Sequence, residues 1–312
     1  MAPSLAVLPA SLFGAVMGLA GFGLACRAAA ALFPVPAGFA EIWIGLAAVA
    51  WLLLLPAYAL KALRHPQAVK EELANPALLG YCATLPVGSF LLAAGLQPWA
   101  EAPAQALWWA AVAVMLVLQL RMLQRLMLGG IRLAQVNGGW MILLVGGIVA
   151  PSAGLPLGHD ATALALFAFS AAVSPLVMGL VLVRMLFGPP LPDAAKPSWF
   201  IVLVPPALIY LNGNALAGGP AGTPLEVLFL CGLPLAVALL VASRGLLRWP
   251  FGPPWWAFTF PLDAMAAAAV RFAQEHPGAG WRAVAGALLV VTGIFVTWTL
   301  SRTLLALASK KT

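Results

Sequence analysis

The chain has 312 residues, of which 63% are apolar and 8% charged, and a formal net charge of +7. A soluble domain carries roughly 25% charged residues, so a surface this poor in charge is excluded from water over most of its area and fits lipid instead. The basic residues are scattered singly near the ends of apolar runs and form no stripe interleaved with polar contacts, which excludes a nucleic-acid interface.

Apolar runs of about twenty residues recur from end to end, each long enough to cross roughly 30 Å of hydrocarbon as a helix. In chain order they predict spans over 6–32, 39–63, 77–97, 104–127, 138–157, 162–187, 198–216, 225–247, 255–273 and 282–308. Stretches such as Trp51 to Leu55 and Leu164 to Phe169 are apolar without interruption, which rules out the alternation of a membrane β-strand. The first run lacks a basic region ahead of it and contains glycines suited to helix packing, so it reads as a retained span. The connections are short and marked by Pro and Gly: Pro34 to Gly38, Gln97 to Pro103, Gly188 to Pro197, Gly218 to Pro224 and Pro250 to Pro254. They leave no room for a soluble domain, so residues 1–312 read as a single transmembrane domain. Cys26, Cys82 and Cys231 fall inside spans, far apart, and read as small buried residues with no disulfide.

Lys and Arg set the orientation. One side, holding the N-terminus and the even connections, carries Lys61, Arg64, Lys70, Arg121, Arg125, Arg132, Arg184, Lys196, Arg244, Arg248, Arg302, Lys310 and Lys311. The other carries Arg27, Arg271 and Arg282, together with Glu41, Glu101, Asp160, Glu226 and Glu275. Both termini are therefore expected in the cytoplasm, with an even number of spans.

The odd spans share a pattern with a period of roughly sixty residues. A turn signal opens each later one, at Asn75-Pro76, Asn137-Gly138, Lys196-Pro197 and Pro253-Pro254, and a helix breaker follows at Pro86, Gly146-Gly147, Pro205-Pro206 and Pro261. Span one carries Gly14 and Gly18 in that place. Five helical hairpins follow, each with an irregular odd member. Irregular backbone at membrane depth is tolerated where protein or water covers it, so the odd helices are expected inside, around a central path, and the even ones outside. The even spans fit less than perfectly, since Pro56, Pro175 and Pro234 fall in them.

A proline removes the hydrogen bond to the carbonyl four residues back, so Pro86, Pro205 and Pro261 are expected to free those of Cys82, Ile201 and Ala257. Each kink also starts a half-helix whose N–H groups and positive dipole end favour a passing anion. Enzyme chemistry has no support: His65, His159 and His276 lie apart in connections, no nucleotide-binding loop is present, and no cofactor or metal is implied. One acid, Asp263, falls inside a span, just after Pro261, where a carboxylate is costly and a functional candidate. It lies about 60° around the helix from Phe260, so both side chains are candidates to border one lumen. The alternative is that Asp263 caps the half-helix after the kink.

Several segments resemble the family of the bacterial tellurite-resistance protein TehA, plant slow-type anion channels and dicarboxylate transporters. Phe13-Gly14-Ala15-Val16-Met17-Gly18-Leu19-Ala20 looks like that family's opening motif, Leu85-Pro86-Val87 and Val202-Leu203-Val204-Pro205-Pro206-Ala207 resemble its kinks, and Trp256-Ala257-Phe258-Thr259-Phe260-Pro261 is similar to its ninth-span segment. The resemblance implies ten transmembrane helices in a quasi-fivefold arrangement, odd helices lining a pore in each protomer of a homotrimer, with Phe260 as the gate and Gly14 and the kink prolines leaving the space it fills. Gly146-Gly147 stands where a proline is expected near Leu143, and Asp263 stands close to the gate of an anion path. Expected partners are the lipid bilayer and small inorganic or carboxylate anions, in what reads as a bacterial inner membrane. Three readings stay open: a gated channel for small monovalent anions such as chloride or nitrate, a proton-coupled carrier of dicarboxylates or tellurite-like oxyanions, and a membrane scaffold without transport.

Overall fold

A computed structural model describes residues 5–309, and the side chains of all of these but 194, 246 and 247; Lys310 and Lys311, counted above on the basic side, lie outside the described residues. The helices are α1 Gly14–Ala29, α2 Phe39–Arg64, α3 Pro66–Ala74, α4 Pro76–Cys82, α5 Thr84–Leu96, α6 Glu101–Leu128, α7 Gly138–Val145, α8 Pro151–Gly154, α9 Asp160–Phe187, α10 Val204–Leu216, α11 Thr223–Ala242, α12 Trp256–Glu275 and α13 Ala279–Ser309. No strand occurs among the described residues.

Each of the ten expected spans is helical, and eight helices among the described residues are long and apolar enough to cross a membrane. The other two of the ten expected spans differ from these eight. Gly138–Gly154 is a shorter apolar helix, and α12 has the length but is diluted by Thr259, Asp263, Arg271, Gln274 and Glu275. Between the second and third expected spans lies α3, which Pro66 opens at a first-turn position where no N–H is needed.

Burial alternates along the chain. The apolar windows of Ala10–Ala29, Pro76–Leu96 and Ala195–Leu216 are 72%, 78% and 67% buried, whereas those of α2, α6, α9, Thr223–Gly245 and α13 are 11%, 39%, 28%, 22% and 22% buried. Every residue of α7 is buried, and fifteen of the twenty in α12 are. Cys26 and Cys82 are buried as expected, but Cys231 is exposed on α11, so its burial is a correction.

The chain divides into two compact units, Met1–Met17 with Gly45–Pro190, and Gly18–Ile44 with Leu191–Thr312. In the first, Asn75 and Asn137 cap α4 and α7 by accepting from the N–H groups of Ala77 (3.0 Å) and Gly139 (2.9 Å). The two helix starts then cross so tightly that a Cβ on Gly80 would lie 2.4 Å from the Gly139 backbone. Broken backbone here is satisfied by side chains. Gln119 of α6 donates to the Leu143 carbonyl at 3.2 Å, just before the 3-10 turn Gly146–Val149, and Thr84 donates to the Ala10 carbonyl at 2.8 Å. At one end, buried Lys61 bonds the Leu8 carbonyl at 2.8 Å and Glu72 at 2.6 Å, and Tyr58 donates to the other Glu72 oxygen at 2.7 Å.

In the second unit, two of the three arginines of the less basic side meet carboxylates: Arg27 binds Glu41 at 2.8 Å and Arg271 binds Glu275. Arg282 donates to the Leu32 carbonyl at 2.8 Å. The charges of Arg27 and Arg271 are thus locally compensated.

Candidate functional site

The site builds up around α12. Ahead of Phe260 its aromatics are pinned from other elements: Trp255 Nε1 donates to the Pro250 carbonyl at 2.8 Å, Trp256 Nε1 to Thr303 Oγ1 at 3.1 Å, and Phe258 meets Phe295 edge-on with centroids 4.9 Å apart. Phe260, 3% exposed, lies on the face toward α1. There Gly21 leaves the room: a Cβ at that position would lie 3.1 Å from the Phe260 ring and 2.9 Å from Asp263 Oδ2. Three residues earlier, a Cβ on Gly18 would lie 2.1 Å from Thr259 Oγ1. Gly18-x-x-Gly21 is thus a flat stripe on which Thr259, Phe260 and Asp263 rest, the close approach that small residues allow between membrane helices.

Asp263 is 1% exposed, and its Oδ1 accepts from Thr292 Oγ1 of α13 at 2.9 Å. Its Oδ2 is buried without a hydrogen-bond partner. The capping alternative for Asp263 is therefore overturned, because its partner is a side chain on another helix and α12 runs unbroken through Pro261. The expected half-helix start at Pro261 is a correction too: the irregular backbone of this segment is the 3-10 turn Pro253–Trp255, ahead of α12.

Pro205 sits in the first turn of α10, after a 3-10 stretch, Asp193–Leu203. The Ile201 carbonyl, expected to be freed, accepts from the Val204 N–H, so the tighter helix absorbs the group that proline orphans. Likewise Gly14 opens α1 after the 3-10 turn Ala10–Phe13, and its own N–H is engaged by Ser11 and Leu12 carbonyls. Pro86 lies in the first turn of α5, the break itself falling at Ala83. Gly146 faces Val87 and Met115, where a Cβ would approach to 2.7 Å and 3.0 Å, and Gly147 faces Ser170 of α9.

The structure brings Phe260 and Asp263 together against Gly21 in the second unit, with Gly18 against Thr259 and Trp256, and sets Gly146 beside the Pro86 break in the first. Sequence reasoning missed Gly21 and Thr292. The spacing of Gly18 and Gly21 carried a usable signal, whereas nothing local marked Thr292 as the partner of Asp263. Among the described residues no cluster of three or more His, Cys, Asp or Glu is placed to hold a metal.

A helical chain of this apolarity, with buried and interrupted helices alternating with exposed continuous ones, is an integral membrane protein. The chain belongs to the voltage-dependent anion channel family, which it matches over residues 7–304. That family is one of channels and not of enzymes. It is 25% identical over 245 residues to the guard cell S-type anion channel SLAC1 of Arabidopsis thaliana, covering 77% of this chain and 44% of that protein. The S-type anion channels SLAH1 and SLAH2 of the same plant are 25% and 26% identical, over 76% of this chain in each case and 63% and 46% of theirs. The chain spans about half the length of the plant relatives it matches.

Proposed function

We propose that this protein is a gated, passive channel for small monovalent anions such as chloride or nitrate. All ten helical segments span the bilayer as five hairpins of one transmembrane domain, odd helices around a pore and even helices toward lipid, in each protomer of a homotrimer. Both termini are cytoplasmic and the membrane is a bacterial inner membrane. The observation that carries the reading is Phe260: a buried phenyl ring seated on a glycine stripe in a span whose neighbouring aromatics are all pinned elsewhere. A ring in a lumen blocks ions because it fills the space and offers no ligand to replace their hydration shell. Support for the substrate class comes from the family and from the plant relatives, whose names are those of anion channels. The backbone adds less than expected, since the N–H groups of Gly14 and Val204 at two breaks are already engaged.

The test is chloride flux into proteoliposomes, or current in planar bilayers, for the parent and for Phe260→Ala. The expected result is a small parent flux and a large one in the variant; unchanged flux in well-folded Phe260→Ala protein removes Phe260 from the mechanism. No flux from either would favour a scaffold.

A second reading draws on the unpartnered Oδ2 of Asp263 beside Phe260: a proton-coupled carrier for dicarboxylates or tellurite-like oxyanions. It requires uptake driven by a pH gradient and abolished by Asp263→Asn, and is lost if the variant takes up as much as the parent.

A further inference from the structure

The face of α3 toward the end of α6 bounds a depression of about 460 Å³ lined by Lys70, Leu73, Arg121, Gln124 and Arg125 among others. Arg121, Gln124, Arg125 and Leu128 recur at helical spacing and share one face of α6. Arg125 is fixed at the wall, because its Nη2 donates to the Ala74 carbonyl at the end of α3 at 2.9 Å. Among the described residues no carboxylate pairs with Lys70, Arg121 or Arg125. The acids of α3 are engaged elsewhere, Glu72 with Lys61 and Tyr58, and Glu71 with Gln67 at 3.4 Å. Three like charges facing one space without a counter-ion repel one another, so the depression is suited to a multiply oxygenated anion. Arginine matches phosphate through its planar fork.

Depth in the membrane narrows the source. Arg121 is twenty residues along α6 from Glu101, about 30 Å by helix rise, one hydrocarbon thickness. Its guanidinium thus reaches headgroup level when Glu101 stands at the opposite interface. Toward the middle of the same helix, Val117 and Leu120 are 53% and 64% exposed, an apolar track leading away from the charged end. We propose that this depression binds the phosphate of an anionic phospholipid, with the headgroup among Lys70, Arg121 and Arg125 and an acyl chain along Val117 and Leu120. The site is independent of the pore and of its gate.

The test is native mass spectrometry of the full chain in mild detergent, with phosphatidylglycerol and phosphatidylcholine of identical acyl chains, and inorganic phosphate as a third ligand. The parent is expected to retain phosphatidylglycerol about ten-fold or more over phosphatidylcholine. Lys70→Gln/Arg121→Gln, two exposed positions that leave Arg125 in place, should abolish that preference with helical content unchanged, and Arg121→Glu alone should weaken it. A control with equal charge removal, Arg64→Gln/Arg248→Gln, should keep it. Equal retention of the two lipids by the parent, or an equal loss in the control, overturns the proposal. So does displacement of the lipid by millimolar inorganic phosphate, which would mark a site for free phosphate.

Discussion

Gly18→Ala perturbs the seat of Phe260 without touching the ring. The added Cβ would fall 2.1 Å from Thr259 Oγ1, 3.0 Å from Thr259 Cβ and 3.2 Å from Trp256 Cε3, where non-bonded carbons prefer about 3.5–4.0 Å. Thr259 does not turn aside freely, since it is fully buried and its hydroxyl donates to the Trp256 carbonyl at 2.9 Å. Trp256 is held in turn by Thr303. Relief therefore means moving α1 away from α12, and overpacking of this kind costs about 1–3 kcal/mol, offset by about 0.5–1 kcal/mol because alanine is the better helix former. A net loss of up to about 2.5 kcal/mol is expected. Thr259→Ala removes the atom in closest conflict and lengthens the nearest contact to 3.0 Å, at the cost of one hydroxyl bond worth about 0.5–1.5 kcal/mol. The double variant should then be more stable than the sum of the singles by about 1 kcal/mol. Unfolding of the purified protein by dodecyl sulfate in mixed micelles, followed by circular dichroism, reads all four states of the cycle. Additivity within about 0.3 kcal/mol would show that Gly18 does not pack on Thr259.

Gly21→Ala brings a methyl against Phe260 and Asp263, so it should raise chloride flux above the parent by displacing the ring, though less than Phe260→Ala; flux below the parent would mean that the methyl wedges the ring shut. Thr292→Val strips Asp263 of its one hydrogen-bond donor and should lower stability in the same micelle assay by about 0.6–2 kcal/mol, with Thr292→Ser close to the parent; a loss in Thr292→Ser and none in Thr292→Val would assign the effect to the methyl group. Lys61→Met leaves half-buried Glu72 without its cation and the Leu8 carbonyl without its donor, and should cost about 1–3 kcal/mol, seen as early unfolding and faster proteolysis ahead of Ala10, whereas unchanged proteolysis would show that Lys61 does not anchor the N-terminal segment.

Much of the architecture was legible because membrane helices announce themselves by length and apolarity. The Asn75-Pro76 and Asn137-Gly138 signals start α4 and α7 where the spacing placed them, since an Asn side chain and a donor-free or flexible next residue are what a helix start requires. The breakers were legible as types and less so as positions. Pro205 and Pro86 sit in first turns, one to three residues after the break, because proline is tolerated where its missing N–H has no helical partner. Pro261 instead stays inside a continuous helix, held between other elements that a local reading does not see. In span five the break begins at Gly146, and Pro151, which opens α8, was overlooked as a second stop. The pairing of Asp263 with Thr292 was beyond reach, because contact between α12 and α13 depends on rotations that apolar composition leaves open.

Buried polar groups separate architecture from function in this fold. Gln119 and Thr84 spend their donors on main-chain carbonyls beside helix breaks, and Trp108 donates to the Ala150 carbonyl at 3.0 Å. Such groups make irregular backbone tolerable in lipid, and their removal should be felt as lost stability. Asp263 does no such work, since α12 is unbroken around it, and one of its oxygens has no partner. A buried carboxyl that is half-satisfied is costly to keep. Its place on the Gly18-x-x-Gly21 stripe, one turn from Phe260, puts that cost beside the residue proposed as the gate. Conservative changes at Gln119 should therefore move stability and leave any gating response intact, whereas Asp263→Asn, of nearly the same volume, should change flux more than it changes folding.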